Sequence, residues 1–334
     1  MTSPRDHPYV STGRLPPSEQ VRALVTEAYE RYRGDGQGAV SDVYPALARA
    51  DASHFGICVA GIDGTLFGTG DDELEFTIMS VAKPFVFALV CAVIGPEELR
   101  RRVGVNATGL PFNSTAAVEH SPDGRTNPMV NPGAIATTSL VPGASAEARW
   151  LFVHDGLSRF AGRRLTLDEE VYESASRTNH RNRELARLLE AAGALYADPA
   201  DAVDLYTRLC SLAVTAHDLA VMGATLADGG VNPLSRERVV DESSCRHTLA
   251  VMASAGLYET SGEWLYDVGL PGKSGIGGGI VTVSPGKGGL GTFAPLLDPE
   301  GNSVKGKLAT TFLARGLGLD LFASEAYVAP QRTL

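Results

Sequence analysis

No two cysteines stand in a C-x-x-C arrangement; Cys58, Cys91, Cys210 and Cys245 are spread through 334 residues. In a chain this long they read as reduced, mostly buried thiols rather than a disulfide framework. The seven histidines likewise lack the His/Cys/Asp spacing of a metal site, so neither a metal nor another cofactor is expected. Basic charge is short: 29 Lys and Arg against 39 Asp and Glu leave a formal net charge of −10. With no basic cluster to offset it, this argues against nucleic-acid binding and against docking on an anionic membrane. A small molecule is the expected partner. No apolar run is long enough to cross a bilayer; the longest, residues 84–94, reads as a buried helix. Residues 1–17 are polar and proline-rich without an apolar segment, which reads as a loose N-terminal extension and not a signal peptide. A cytoplasmic enzyme is the simplest account.

What is present is ordinary for a globular protein, 44% hydrophobic and 20% charged, enough for a large core in one or two packed domains. The segment VRALVTEAYERYR predicts an opening helix within 18–33. Residues 55–69, FGICVAGIDGTLFGT, predict a hairpin turning at Asp63-Gly64. Residues 76–94 are apolar almost throughout, and Pro84, tolerated only in a first helical turn, starts a helix near Ser80. Helical patterns cover 145–162, 182–192, 200–212, 216–227 and 243–255, a second hairpin 277–295, and a closing helix 307–321. The expected class is α/β: a mostly antiparallel sheet domain built from 18–96 and 257–334, flanked by helices. An all-helical domain over 97–256 is inserted in it, and the active site lies between them.

A serine hydroxyl is a weak nucleophile at neutral pH and needs a base within reach. Ser80 and Lys83 lie one helical turn apart and can share a face. Burial among Phe76, Ile78, Phe85 and Phe87 would lower the lysine pKa toward that of a base. Alone the S-x-x-K pattern says little: Ser80 could be a helix cap beside a surface lysine, and Ser284–Lys287 is a second match on a predicted turn. A further element is Lys273-Ser274-Gly275, just before a glycine-rich strand. S-x-x-K followed downstream by K-[ST]-G is the arrangement of serine β-lactamases and penicillin-binding proteins. The S-x-N element of that group is absent.

A more specific resemblance rests on longer blocks: YPALA (44–48), FTIMSVAK (76–83), NPMVNPGAI (127–135), RNRELA (181–186), YTRLCS (206–211) and GLYETSGEWLYDVGLPGKSGIGGGI (256–280). In these the chain resembles the serine-dependent bacterial glutaminases, which share the β-lactamase-like fold, over about residues 20–322. The resemblance implies a hydrolase that turns L-glutamine into L-glutamate and ammonia through an acyl-enzyme on Ser80, with Lys83 moving the proton. It further implies an oxyanion hole from the backbone N–H groups of Ser80 and Ile276, and Tyr44 and Tyr258 beside the dyad. Asn131, Asn182 and Tyr206 would hold the polar groups of the substrate. A homodimer or homotetramer is implied as well.

The chain departs from the family pattern twice. Where the resemblance implies a glutamate seven residues before Asn182, contacting the substrate α-ammonium, the residue is Ala175. Glu173 belongs to another helical face. Pro132 replaces the usual alanine beside Asn131. Two readings follow: an altered glutaminase, or a site that takes an amide whose α-amine is absent or acylated. A serine amidase or acyltransferase of the same fold, and a non-catalytic homologue, are the rivals.

Overall fold

The computed structural model describes residues 13–324, so most of the expected N-terminal extension lies outside the described residues. Five strands form one antiparallel sheet in the order β2-β1-β8-β7-β6. They are β1 (Gly56–Gly61), β2 (Leu66–Gly70), β6 (Gly272–Ser274), β7 (Gly279–Ser284) and β8 (Gly288–Phe293). The other three strands, β3 (Phe76–Thr77), β4 (Thr166–Leu167) and β5 (Leu212–Val214), make a small sheet in the order β3-β5-β4. Both predicted hairpins form, turning at Asp63-Gly64 and Pro285-Gly286, with Gly64 and Gly286 at φ +85° and +74°. Those left-handed angles are the reason for glycine at the two turns.

Helices Ser18–Tyr32 and Val304–Gly316 pack on one face of the five-stranded sheet, closing a core around Phe55, Ile57, Leu290 and Leu313. The helix Ala216–Ala227 lies across β8, β1 and β7 on the other face. This helix falls inside the stretch 97–256 expected as an all-helical insert, yet it covers the sheet. Its approach is close because alanines and glycines meet there: a Cβ on Gly289 would stand 2.2 Å from Ala220 O. Backbone atoms cannot yield as a flexible side chain can, so Gly289→Ala is expected to cost about 1–3 kcal/mol of stability. An unchanged denaturation midpoint would show that this contact is not needed.

Beyond that helix the remaining helices surround Lys83–Ile94, whose first nine residues are all buried. Its neighbours are Glu242–Ala255, Asn131–Thr138 and Ala146–Ala161. Their apolar side chains merge with Val281 and Val283 of the sheet into one hydrophobic cluster. The predicted helices are found within a few residues of their expected ends. Ala146–Ala161, for example, is capped by Ser145 and stopped by a left-handed Gly162. Leu212, expected to end a helix, instead begins β5. No single helix among the described residues is long and apolar enough to cross a membrane.

Candidate active site

Ser80 lies in a 3-10 turn, Met79–Ala82, between β3 and the helix that starts at Lys83. The helix thus begins slightly later than the proline suggests, and Ser80 stands on a strand–turn–helix corner. Met79 takes φ +47°, rare for a residue with a side chain. The corner is pressed against the segment that follows β6. A Cβ on Gly275 would meet Ser80 N at 3.2 Å, and one on Gly277 would meet Thr77 O at 2.4 Å. These glycines let the Ile276 backbone lie beside the serine. Among the described residues, neither Ser80 N nor Ile276 N donates to a protein acceptor.

Lys83 is 3% exposed, and its Nζ donates to Met129 O at 3.2 Å and to Asn131 Oδ1 at 2.7 Å. Burial lowers its pKa to about 7. The amine is therefore available as a base near neutrality. Among the described residues, no hydrogen bond joins it to Ser80 Oγ. The spacing brings the pair within a few residues, but the lysine is bonded to Asn131 instead.

Tyr258 opens a short 3-10 turn at φ +57° and is 5% exposed. Its hydroxyl donates to Ser274 O at 3.3 Å. Burial raises its pKa to about 12, so the phenol carries its proton at neutral pH. Two buried amines flank the ring, Lys83 Nζ at 6.0 Å and Lys273 Nζ at 4.1 Å from its centroid. Lys273 is fully buried, donates to Ser274 O at 2.6 Å, and has its pKa pushed well below normal by burial and then by Lys83. Sequence reasoning marked Lys273 only as part of K-S-G; its placement beside Tyr258 is a product of tertiary packing.

Asn131, the first residue of helix Asn131–Thr138, binds on both sides of its amide. Its Oδ1 accepts from Lys83 and from Tyr206 OH at 3.3 Å, while its Nδ2 donates to Asn182 Oδ1 at 3.0 Å. Pro132 sits in the first turn of that helix, where an N–H has no helical acceptor, so the substitution fits without displacing Asn131. Asn182 is 4% exposed and is no surface residue despite its arginine neighbours. Tyr206 is equally buried, and burial holds its pKa well above normal.

A pocket opens over this network. Tyr44, Ser80, Asn131, Ala175, Asn182, Tyr206 and Ile276 all line it, while Lys83 and Tyr258 stand just behind its wall. Phe112, Asn113, Asn179, Arg181 and Cys210 also line it, and none of these was a candidate site residue from sequence. Cys210 was hidden within the YTRLCS block; Phe112 and Asn113 come from a loop without a motif. Burial raises the Tyr44 pKa, and the Cys210 thiol is pushed up to about 11. The second S-x-x-K match has no such company. Ser284 Oγ and Lys287 Nζ donate to Leu319 O and Gly318 O, tying a hairpin turn to the end of the last helix. A wider cleft between Pro96–Arg102 and residues 104–126 has ion-paired arginines, and its Ser121 hydroxyl is taken up by Arg125 O and Asp123.

Known proteins resemble this chain over most of its length. The glutaminase family profile matches residues 38–322. Glutaminase 2 of Yersinia pestis is 66% identical over 319 residues, 96% of this chain and 94% of that protein. A glutaminase of Brucella canis is 48% identical over 309 residues, 91% of this chain and 98% of that protein. Among solved structures, the probable glutaminase ybaS superposes with a TM-score of 0.91 at 40% identity, covering 92% of this chain and all of that one. Over nearly its whole length, then, the chain belongs to the glutaminase family.

Proposed function

We propose that this enzyme hydrolyses L-glutamine to L-glutamate and ammonia through an acyl-enzyme on Ser80. The observation that carries the reading is the neutral-poised, buried Lys83 in the turn next to Ser80, with two free backbone donors alongside. Ser80 Oγ attacks the side-chain amide carbon as its proton passes to the neutral amine of Lys83. The carbonyl oxygen becomes negative and is held by Ser80 N–H and Ile276 N–H. The C–N bond then breaks as Tyr258 hands a proton to the departing nitrogen, which leaves as ammonia. Water attacks the ester by the reverse roles, freeing glutamate and restoring Ser80. Asn131, Asn182, Tyr206 and Tyr44 orient the substrate so that its amide meets the serine. The site would lie between a sheet lobe and a helical lobe.

The reading extends to a cytoplasmic homodimer or homotetramer. Four free, buried thiols suit a reducing compartment, and the oligomer follows from the family resemblance. The chemistry is tested with a diazo-ketone analogue of glutamine followed by peptide mapping. Covalent label on Ser80 is expected; a fully active enzyme that is labelled elsewhere would overturn the assignment.

A further inference from the structure

Glutamine carries an α-ammonium and an α-carboxylate, and a pocket that selects for the cation must set an anion near it. Among the described residues, no carboxylate lines the Ser80 pocket, and the one charged side chain on its wall is the cation Arg181. Helix Glu169–Thr178 presents Ala175 to the pocket, 2% exposed, and a methyl group offers no partner to an ammonium. The nearby carboxylates are turned away or engaged. Glu173 is exposed beside Arg177, at 3.5 Å. Asp204 accepts from Tyr172 OH at 2.6 Å, and Glu184 holds Arg181 Nη1 at 2.7 Å.

We propose that the enzyme hydrolyses the terminal amide of five-carbon amide acids whether or not an α-ammonium is present, taking des-amino and Nα-acylated glutamine as well as glutamine. The inference rests on the amidohydrolase reading above and specifies its substrate class. Discrimination at a polar site is asymmetric: a buried group built to bind a substrate feature rejects the analogue lacking it, because the group is left unpaired. With an alanine at 175 nothing is left unpaired when the ammonium is missing. The Arg181 guanidinium still favours the carboxylate that all three compounds share. The bond changes are those already described: the amide C–N bond is exchanged for C–O with water, ammonia leaves, and the α-substituent is untouched.

The test compares kcat/KM for L-glutamine, glutaramate (glutamine without its amino group) and Nα-acetyl-L-glutamine in the wild type and in Ala175→Glu. In the wild type, glutaramate is expected within about tenfold of glutamine, since no carboxylate among the described residues lines the pocket to reward the ammonium. In Ala175→Glu, the ratio of glutamine to glutaramate should rise by about thirtyfold or more. Retained glutamine turnover with glutaramate about a hundredfold or more poorer in the wild type would sink this inference alone. Loss of turnover on every amide would sink the amidohydrolase reading and this inference with it. Should the variant fail to fold, the wild-type ratio decides by itself.

Discussion

Ser80→Ala should lower kcat for glutamine hydrolysis by about 10⁴-fold or more, because no acyl-enzyme can then form. The substitution removes one oxygen from a tightly packed turn and leaves the Ser80 N–H in place, so fold and substrate binding should persist. Ammonia release under single-turnover conditions measures the rate, and glutamine-dependent thermal stabilisation measures the binding. A fall of tenfold or less would mean that Ser80 is not the nucleophile. Lost activity together with lost stabilisation would point to a collapsed pocket and not to missing chemistry.

The second large effect concerns Lys83. In the proposed mechanism its active form is the neutral amine, and burial brings its pKa to about 7. Below that value the amine is protonated and cannot accept the serine proton, so kcat/KM should fall about tenfold per pH unit on the acid side. Above it the profile should be flat until other groups titrate. Lys83→Met should reduce kcat by about 10²–10⁴-fold and flatten the acid limb in whatever activity remains. The shape of the profile is the discriminating readout. A variant that is slow but keeps the same acid limb would assign the ionisation to another group, with Lys273, also buried and lowered, the next candidate.

Much of this architecture is legible in local sequence, because local forces set it. The Asp63-Gly64 turn needs a left-handed glycine, Ser145 and Gly162 bracket a helix, and Pro84 permits a helix only just beyond Ser80. The small sheet is not legible: Phe76–Thr77 and Thr166–Leu167 are two-residue strands whose partner, Leu212–Val214, is far along the chain. Such short strands carry no period of their own. Asn131–Thr138 escapes notice for a similar reason, since its Asn-Pro-Gly opening reads as loop chemistry. The proposed nucleophile and the likeness to glutaminases are visible in contiguous blocks. The bonding of Lys83 is not, because the acceptor that holds it lies 48 residues downstream. Pattern and spacing predict which residues assemble, whereas their hydrogen-bond partners depend on packing across several helices.

Asn131 gives the site a constraint of a different kind. One carboxamide oxygen accepts from both Lys83 and Tyr206, and the same carboxamide donates to Asn182. In the proposed mechanism acid–base poise and substrate grip are therefore one unit, and a change to any member is felt by the rest. Position 175 faces the same cavity with a side chain that bonds to none of them. Selectivity can drift there while the reaction is left untouched, which makes the fold modular at a single residue.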